Sequence, residues 1–133
     1  MTSAPEPLQD YPSILTLPIL WGDQDAFGHV NNVVYFRWCE SARVAYLNDT
    51  GLQDLMSKTN LGPILASIRC DYLLQLNFPD TVRIGTRITR VGNKSVSMEH
   101  AIYSDSLQAI AARSDSVVVL FDYDEQKSCA VPL

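Results

Sequence analysis

The spacing of apolar residues changes period several times along this chain, and each change marks an element. "SILTLPILW" (13–21) reads as a strand, and Pro18, which has no amide N–H to give a ladder, sets it at a sheet edge or ends it early. From about Asn32 to Thr50 the period becomes helical, with Asn31 or Asn32 as the cap and Gly51 closing the helix, a length of about 27 Å at 1.5 Å per residue. Apolar residues from Val33 to Leu47 occupy most of its circumference and leave a narrow polar stripe of Arg37, Glu40, Ser41 and Asn48. A helix this apolar must be covered on most sides. The rest of the chain supplies the cover: "GPILASIRCDYLLQL" (62–76) as a long strand, "NFPD" (77–80) as a turn, then strands over 81–91, 95–104 and 109–122. Val82, Ile84, Thr86 and Ile88 alternate with Arg83 and Arg87, as a half-buried strand requires. Short turns such as "GNK" (92–94) make neighbours antiparallel. The pattern predicts an α+β fold, a curved five-stranded antiparallel sheet wrapped around one long central helix. Residues 13–133 form a single domain in this reading, and 1–12, with three of the seven prolines, form a mobile tail.

Composition narrows the partners. At 133 residues the chain is long enough for a proper core, and 47% hydrophobic with 19% charged residues is ordinary for a soluble globular domain. A net charge of −5 argues against nucleic-acid binding, so an anionic ligand needs a local cluster of cations. Cys39, Cys70 and Cys129 are odd in number and form no CxxC, which suits a free-thiol cytoplasmic protein with Cys39 and Cys70 as small buried apolar groups. The first residues lack the basic and apolar regions of a signal peptide, and no apolar run approaches the ~20 residues of a membrane span.

The chemistry concentrates in "WGDQDAFGHVNN" (21–32), between the first strand and the helix. Asp23, Asp25 and His29 have the atoms of a metal site, but no further His or Cys stands nearby to complete a shell, and no metal is expected. Asp23 suits a role in ordering the loop. His29 braces the loop or lines a pocket. Asp25, seven residues before Asn32, either stabilises the helix N-terminus or, turned back through Gly28, sets a carboxylate able to act as nucleophile or general base beside unpaired helix N–H groups. Elsewhere, His100 shares an apolar face with Val96, Met98 and Ile102 and reads as a satisfied core histidine, and Glu40 as an ion-pair partner of Arg37 or Arg43.

"GDxDxxGHVNNxxYFRW", the long helix that follows it, "FPDTV" (78–82) and Lys94-Ser95 together resemble the hotdog-fold acyl-CoA thioesterases of the 4-hydroxybenzoyl-CoA thioesterase type, over about residues 14–132. The resemblance implies hydrolysis of a coenzyme A thioester without metal or organic cofactor, in a homodimer or tetramer whose sheets join edge to edge and whose sites lie at the subunit boundary. It places catalysis at Asp25, as nucleophile or general base, and carbonyl polarisation at the backbone N–H of Asn32. His29 and Tyr35 would bind substrate, and Arg90 and Lys94 the phosphates. Related proteins carry a basic cluster before the Ser-hydrophobic start of that strand; Gly92 and Asn93 leave only Lys94 of it here, so Arg69, Arg83 and Arg113 are alternatives. Two other activities fit the same pattern: non-catalytic binding or sensing of acyl-CoA, and a hydratase or dehydratase acting on acyl thioesters. Tyr35, Phe36 and Trp38 suit an aromatic or an aliphatic acyl pocket.

Overall fold

Backbone pairing in the computed structural model, which describes residues 4–131, follows the alternation read from the sequence. The strands are β1 (Ser13–Pro18), β2 (Leu61–Tyr72), β3 (Thr81–Val91), β4 (Ser95–Ser104) and β5 (Ala109–Asp122), with a two-residue β6 (Lys127–Ser128) beside the end of β5. They form one antiparallel sheet in the order β1-β3-β4-β5-β2. The long helix α1 (Asn32–Asp49) lies against one face, and a shorter α2 (Leu52–Thr59) leads into β2. The main core joins Tyr35, Trp38, Cys39 and Ala42 of α1 to Val82, Ile84, Ile102 and Ala112 of the sheet. Farther along α1, Tyr46 packs on Met98 and Val118.

Several boundaries differ from the sequence reading. The first strand ends at Pro18, and Trp21–Asp23 is a 3-10 turn rather than strand. β2 stops at Tyr72, after which the N–H groups of Leu73 and Leu74 both donate to the Ala111 carbonyl and the chain leaves the sheet. Of the tail expected to be mobile over 1–12, residues 1–3 lie outside the described part, and a 3-10 turn at Glu6–Leu8 directs Leu8 onto the sheet while its neighbours stay exposed. Leu8 is fully buried with Tyr11 against Ala101 and Tyr103, on the sheet face opposite α1. Tyr11 donates its hydroxyl to Glu99, and the Arg87 guanidinium stands 4.7 Å over its ring.

The sheet of one chain covers only one stripe of α1. Tyr35, Trp38, Cys39, Ala42 and Tyr46 are buried, while Val33 and Val44 remain 63% and 51% exposed, so the expectation of cover on most sides is not met within one chain. Glu40 makes no ion pair among the described residues; Arg37 pairs instead with Asp23, and Arg43 leaves a buried Nη1 without a partner.

Candidate active site

The loop between β1 and α1 is a tight hairpin. Gln24 and Val30 form an antiparallel bridge, Asp25 donates its N–H to the His29 carbonyl at 2.8 Å, and Gly28 donates back to the Asp25 carbonyl at 3.1 Å. Gly28 has φ +81°, a conformation that glycine adopts without the Cβ penalty. Asp23 locks the base of this loop. Its carboxylate accepts the Leu20 N–H at 2.8 Å and the Arg37 Nη2 at 2.7 Å, and its carbonyl accepts the Asn31 N–H at 2.9 Å. At 3% exposure it is a structural carboxylate, not an available one.

Asp25 is different. Its side chain is exposed, Oδ1 accepts the Phe27 N–H at 2.8 Å, and Oδ2 accepts no hydrogen bond among the described residues. It lines an open cavity of about 380 Å³ together with His29, Asn32, Tyr35, Tyr72 and Leu74. Four residues singled out in the sequence, Asp25, His29, Asn32 and Tyr35, therefore meet in one place. At the helix start Asn31 is the cap, its side chain accepting the Val33 N–H at 3.1 Å and its carbonyl the Val34 N–H at 2.9 Å. The Asn32 N–H donates to nothing among the described residues. A free carboxylate oxygen and a free helix N–H border the same space.

The segment after β2 completes the cavity; the sequence pattern reads its first part, residues 73–76, as more strand and only 77–80 as a turn. Leu76 accepts the Val30 N–H at 2.9 Å, Asn77 Nδ2 donates to the Gly28 carbonyl at 2.7 Å, and Phe78 N–H donates to Gln24 Oε1 at 3.1 Å. Tyr72 donates its hydroxyl to the Asn32 carbonyl at 3.1 Å and meets Tyr35 edge to face, ring centroids 4.9 Å apart. Burial pushes both phenols up to about 12 and the neighbouring Cys70 thiol up to about 11, so none of the three supplies an anion near neutral pH. Burial also raises Cys39. Cys39 and Cys70 therefore stay protonated thiols near neutral pH.

Arg90 and Lys94 lie elsewhere in the chain. Val82 packs near Val30 at the Asp25 end of the sheet, and Arg90 is eight residues farther along β3, about 26 Å at strand rise. Neither lines the Asp25 cavity. The alternative cations are occupied: Arg69 pairs with Asp71 at 3.1 Å, Arg83 with Asp105 at 2.8 Å, and Arg113 approaches Glu99 at 4.0 Å. Arg90 and Lys94 have no acidic partner among the described residues. His100 is a core residue but only half satisfied: Nδ1 lies 2.9 Å from Thr86 Oγ1, and Nε2 has no partner. Among the described residues no three His, Cys, Asp or Glu side chains gather as a metal site requires.

Comparison with known proteins agrees with this geometry. A family model described as thioesterase-like superfamily matches residues 19–133. Among solved structures, the PA2801 protein of Pseudomonas aeruginosa, a proposed thioesterase, is 31% identical, with TM-score 0.81 over 92% of this chain and 94% of that one. A gentisyl-coenzyme A thioesterase, BH1999, is 25% identical, with TM-score 0.78 over 90% of this chain and 95% of its own. A thioesterase of Thermus thermophilus, solved with coenzyme A and Zn, is 26% identical, with TM-score 0.79 over 92% of each chain. A curated relative, the uncharacterized protein YsmA of Bacillus subtilis (strain 168), is 29% identical over 82 residues, 62% of this chain and 54% of that protein. The match thus spans about half the length of that relative.

Proposed function

From a chain that belongs to the thioesterase-like superfamily and has the hotdog fold, we propose hydrolysis of an acyl-CoA thioester to the free acid and coenzyme A. The observation that carries this reading is the pairing of the free Oδ2 of Asp25 with the free N–H of Asn32 around one open cavity. The N–H and the positive end of α1 stabilise the oxygen of the thioester carbonyl as negative charge develops there. Asp25 either attacks the carbonyl carbon or removes a proton from the water that does. If Asp25 attacks, the C–S bond breaks to leave a mixed anhydride on Asp25 that water then hydrolyses; if water attacks, the C–S bond breaks directly; in both the thiolate takes up a proton, the free acid leaves and the Asp25 carboxylate is restored. His29 and Tyr35 line the substrate's path. Neither route calls for a metal or cofactor.

The active unit in this proposal is a dimer. Arg90 and Lys94 are remote from Asp25 in their own chain but stand free of acidic partners, as a phosphate grip in a protein of net charge −5 needs. A two-fold that pairs edge strand β2 with its copy reverses the sheet direction and brings that end of the partner toward Asp25. Coenzyme A in the Thermus neighbour supports a nucleotide-bearing substrate. The free cysteines suit the reducing cytoplasm, and no helix among the described residues is long and apolar enough to cross a membrane.

Thiol release from a panel of acyl-CoA esters tests the function directly. Wild type releases thiol, and Asp25→Asn keeps its fold while losing at least ~10²-fold in kcat. Water addition without thiol release would make the protein a hydratase, and tight binding without turnover would make it a sensor. Wild-type turnover by Asp25→Asn would remove Asp25 from the chemistry.

A further inference from the structure

The cavity beside Asp25 is open to solvent and its walls are mixed, Leu73, Leu74 and Leu76 standing beside Asp25, His29 and Gln75, so it gives an acyl chain no wholly apolar bed. At the opposite end of α1 there is a second cavity, of about 230 Å³, bounded by α1, α2 and the sheet. Leu52, Met56, Ile88, Met98, Val118 and Leu120 are among its walls, and among the described residues no charged side chain lines it. Leu55 at its mouth is 52% exposed, so this is a cleft open on one side, and its almost wholly apolar lining suits an apolar ligand. Within one chain it is too far from the chemistry. Asn32 and Tyr46 stand at opposite ends of α1, about 21 Å apart at helical rise.

Strand β2 connects the two cavities across a dimer. Leu61 and Pro63, at its start, line the apolar cavity, while Tyr72 and Leu73, at its end, line the cavity of Asp25. Antiparallel pairing of β2 with its copy about a two-fold near the middle of the strand would set the Leu61 end of one subunit beside the partner's Tyr72 end. Each Asp25 then faces the mouth of the other subunit's apolar cavity. We infer that this α1–α2 cavity of the partner subunit receives the acyl group, and that the substrates are aliphatic acyl-CoA esters of medium chain length.

This assignment rests on the thioesterase reading and on the two-fold through β2. The lining chooses the class. Tyr46 and Thr59 carry the only side-chain hydroxyls in it, and Thr59 donates its own to the Leu55 and Met56 carbonyls at 3.1 and 3.2 Å. With the Tyr46 hydroxyl the one such group not already engaged among the described residues, a hydroxylated aromatic acyl group would trade most of its hydrogen bonds to water for apolar walls. Met56 and Met98 instead adapt to a flexible chain. Size sets the length: an apolar cavity of about 150 Å³ holds benzene, and on that scale about 230 Å³ holds roughly nine carbons.

Saturated acyl-CoA esters from two to sixteen carbons and a set of aromatic acyl-CoA esters are compared by kcat/KM, for wild type and for Leu55→Trp. Leu55 lies on the exposed side of α2 at the cavity mouth, so the substitution narrows the cavity without opening the core. The wild-type optimum is expected near eight to ten carbons, and the ratio of decanoyl- to butyryl-CoA kcat/KM should fall at least about ten-fold in Leu55→Trp. Free decanoate is added in a parallel melting experiment and should stabilise wild type but not the variant. An aromatic optimum, or an unchanged ratio in a folded Leu55→Trp, overturns the inference while thiol release upholds the enzyme. If no thioester is hydrolysed but decanoate stabilises only wild type, the thioesterase reading fails and the cavity stands as a fatty-acyl site.

Discussion

His100 is fully buried with one nitrogen bonded and the other orphaned, and burial, with Arg43 behind it, pushes its pKa down to about 4 from a free-solution value near 6.5. In the window between those values the unfolded chain binds a proton that the folded chain refuses. Stability is therefore full above about pH 6.5 and falls as the pH drops toward 4, by on the order of 3 kcal/mol from this residue. Urea midpoints of wild type should decline over that range, and His100→Asn should show a flatter slope; equal slopes would mean that other groups carry the dependence. Lys94 has no acidic partner among the described residues, and a phosphate contact is the same in ground and transition states. Lys94→Ala should raise KM for acyl-CoA several-fold at nearly constant kcat, with a smaller effect at high salt; an unchanged KM at low ionic strength places the nucleotide elsewhere. At this scale the sequence was informative where chemistry is local. Asp25, His29, Asn32 and Tyr35 fall within eleven positions and share a cavity because one hairpin and one helix turn hold them all. Tyr72 and Asn77 reach the same loop from some forty or more residues away, a distance that no local pattern encodes.

Elements were legible wherever a period ran long enough. α1 starts and ends where its caps predict, and β3, β4 and β5 keep the boundaries set by their alternation and turns. Two things escaped the pattern: α2, eight residues entered from Gly51 at φ +77° with no side-chain cap, too short for a period to declare itself, and the strand ends, where apolar residues run on through 19–21 and 73–76 after the chain has left the sheet. Nor does the proline-rich N-terminal segment announce that Leu8 and Tyr11 bury themselves on a sheet face that only the finished fold provides. Gly85 lets that segment lie close: a Cβ there would stand 2.6 Å from Tyr11 Cγ. Gly85→Ala should lift Tyr11 off the sheet, seen as faster hydrogen exchange around residues 8–12 with the Asp25 loop unaffected. Asn31 holds the start of α1 through the Val33 N–H, and Asn31→Ala should cost about 1 kcal/mol in unfolding free energy, the usual worth of a side-chain cap. A loss within a few tenths would mean that the Asn31 carbonyl and water cap the helix unaided.

For the whole molecule, one chain leaves two surfaces unfinished, and both lie where a copy of itself would sit. β1, one edge of the sheet, is six residues long and ends in Pro18, the kind of short, blunted edge that resists pairing. β2, the other edge, runs for twelve residues with Ile64 and Leu65 41% and 42% exposed, and Pro63 and the irregularity at Leu65/Ser67 disturb only its first half. On α1 the residues turned away from the core, Val33, Arg37, Glu40, Val44 and Leu47, recur at intervals of four and three, the spacing of a helix that packs on a second helix. Edge strand and helix stripe belong to one continuous side, since Glu40, Arg43 and Val44 share a cavity with Pro63 and Leu65 of β2. In the proposed dimer, a two-fold through that side would pair β2 with its copy, cover the α1 stripe, and join each Asp25 to the other subunit's cations and apolar cavity. Sedimentation at micromolar concentration should give twice the 14.8 kDa chain mass or a multiple of it. Leu65→Arg puts two like charges close to the axis and should yield a folded monomer that has lost thioesterase activity. An active monomer, from wild type or variant, would show that one chain is sufficient and would remove the reason for a shared site.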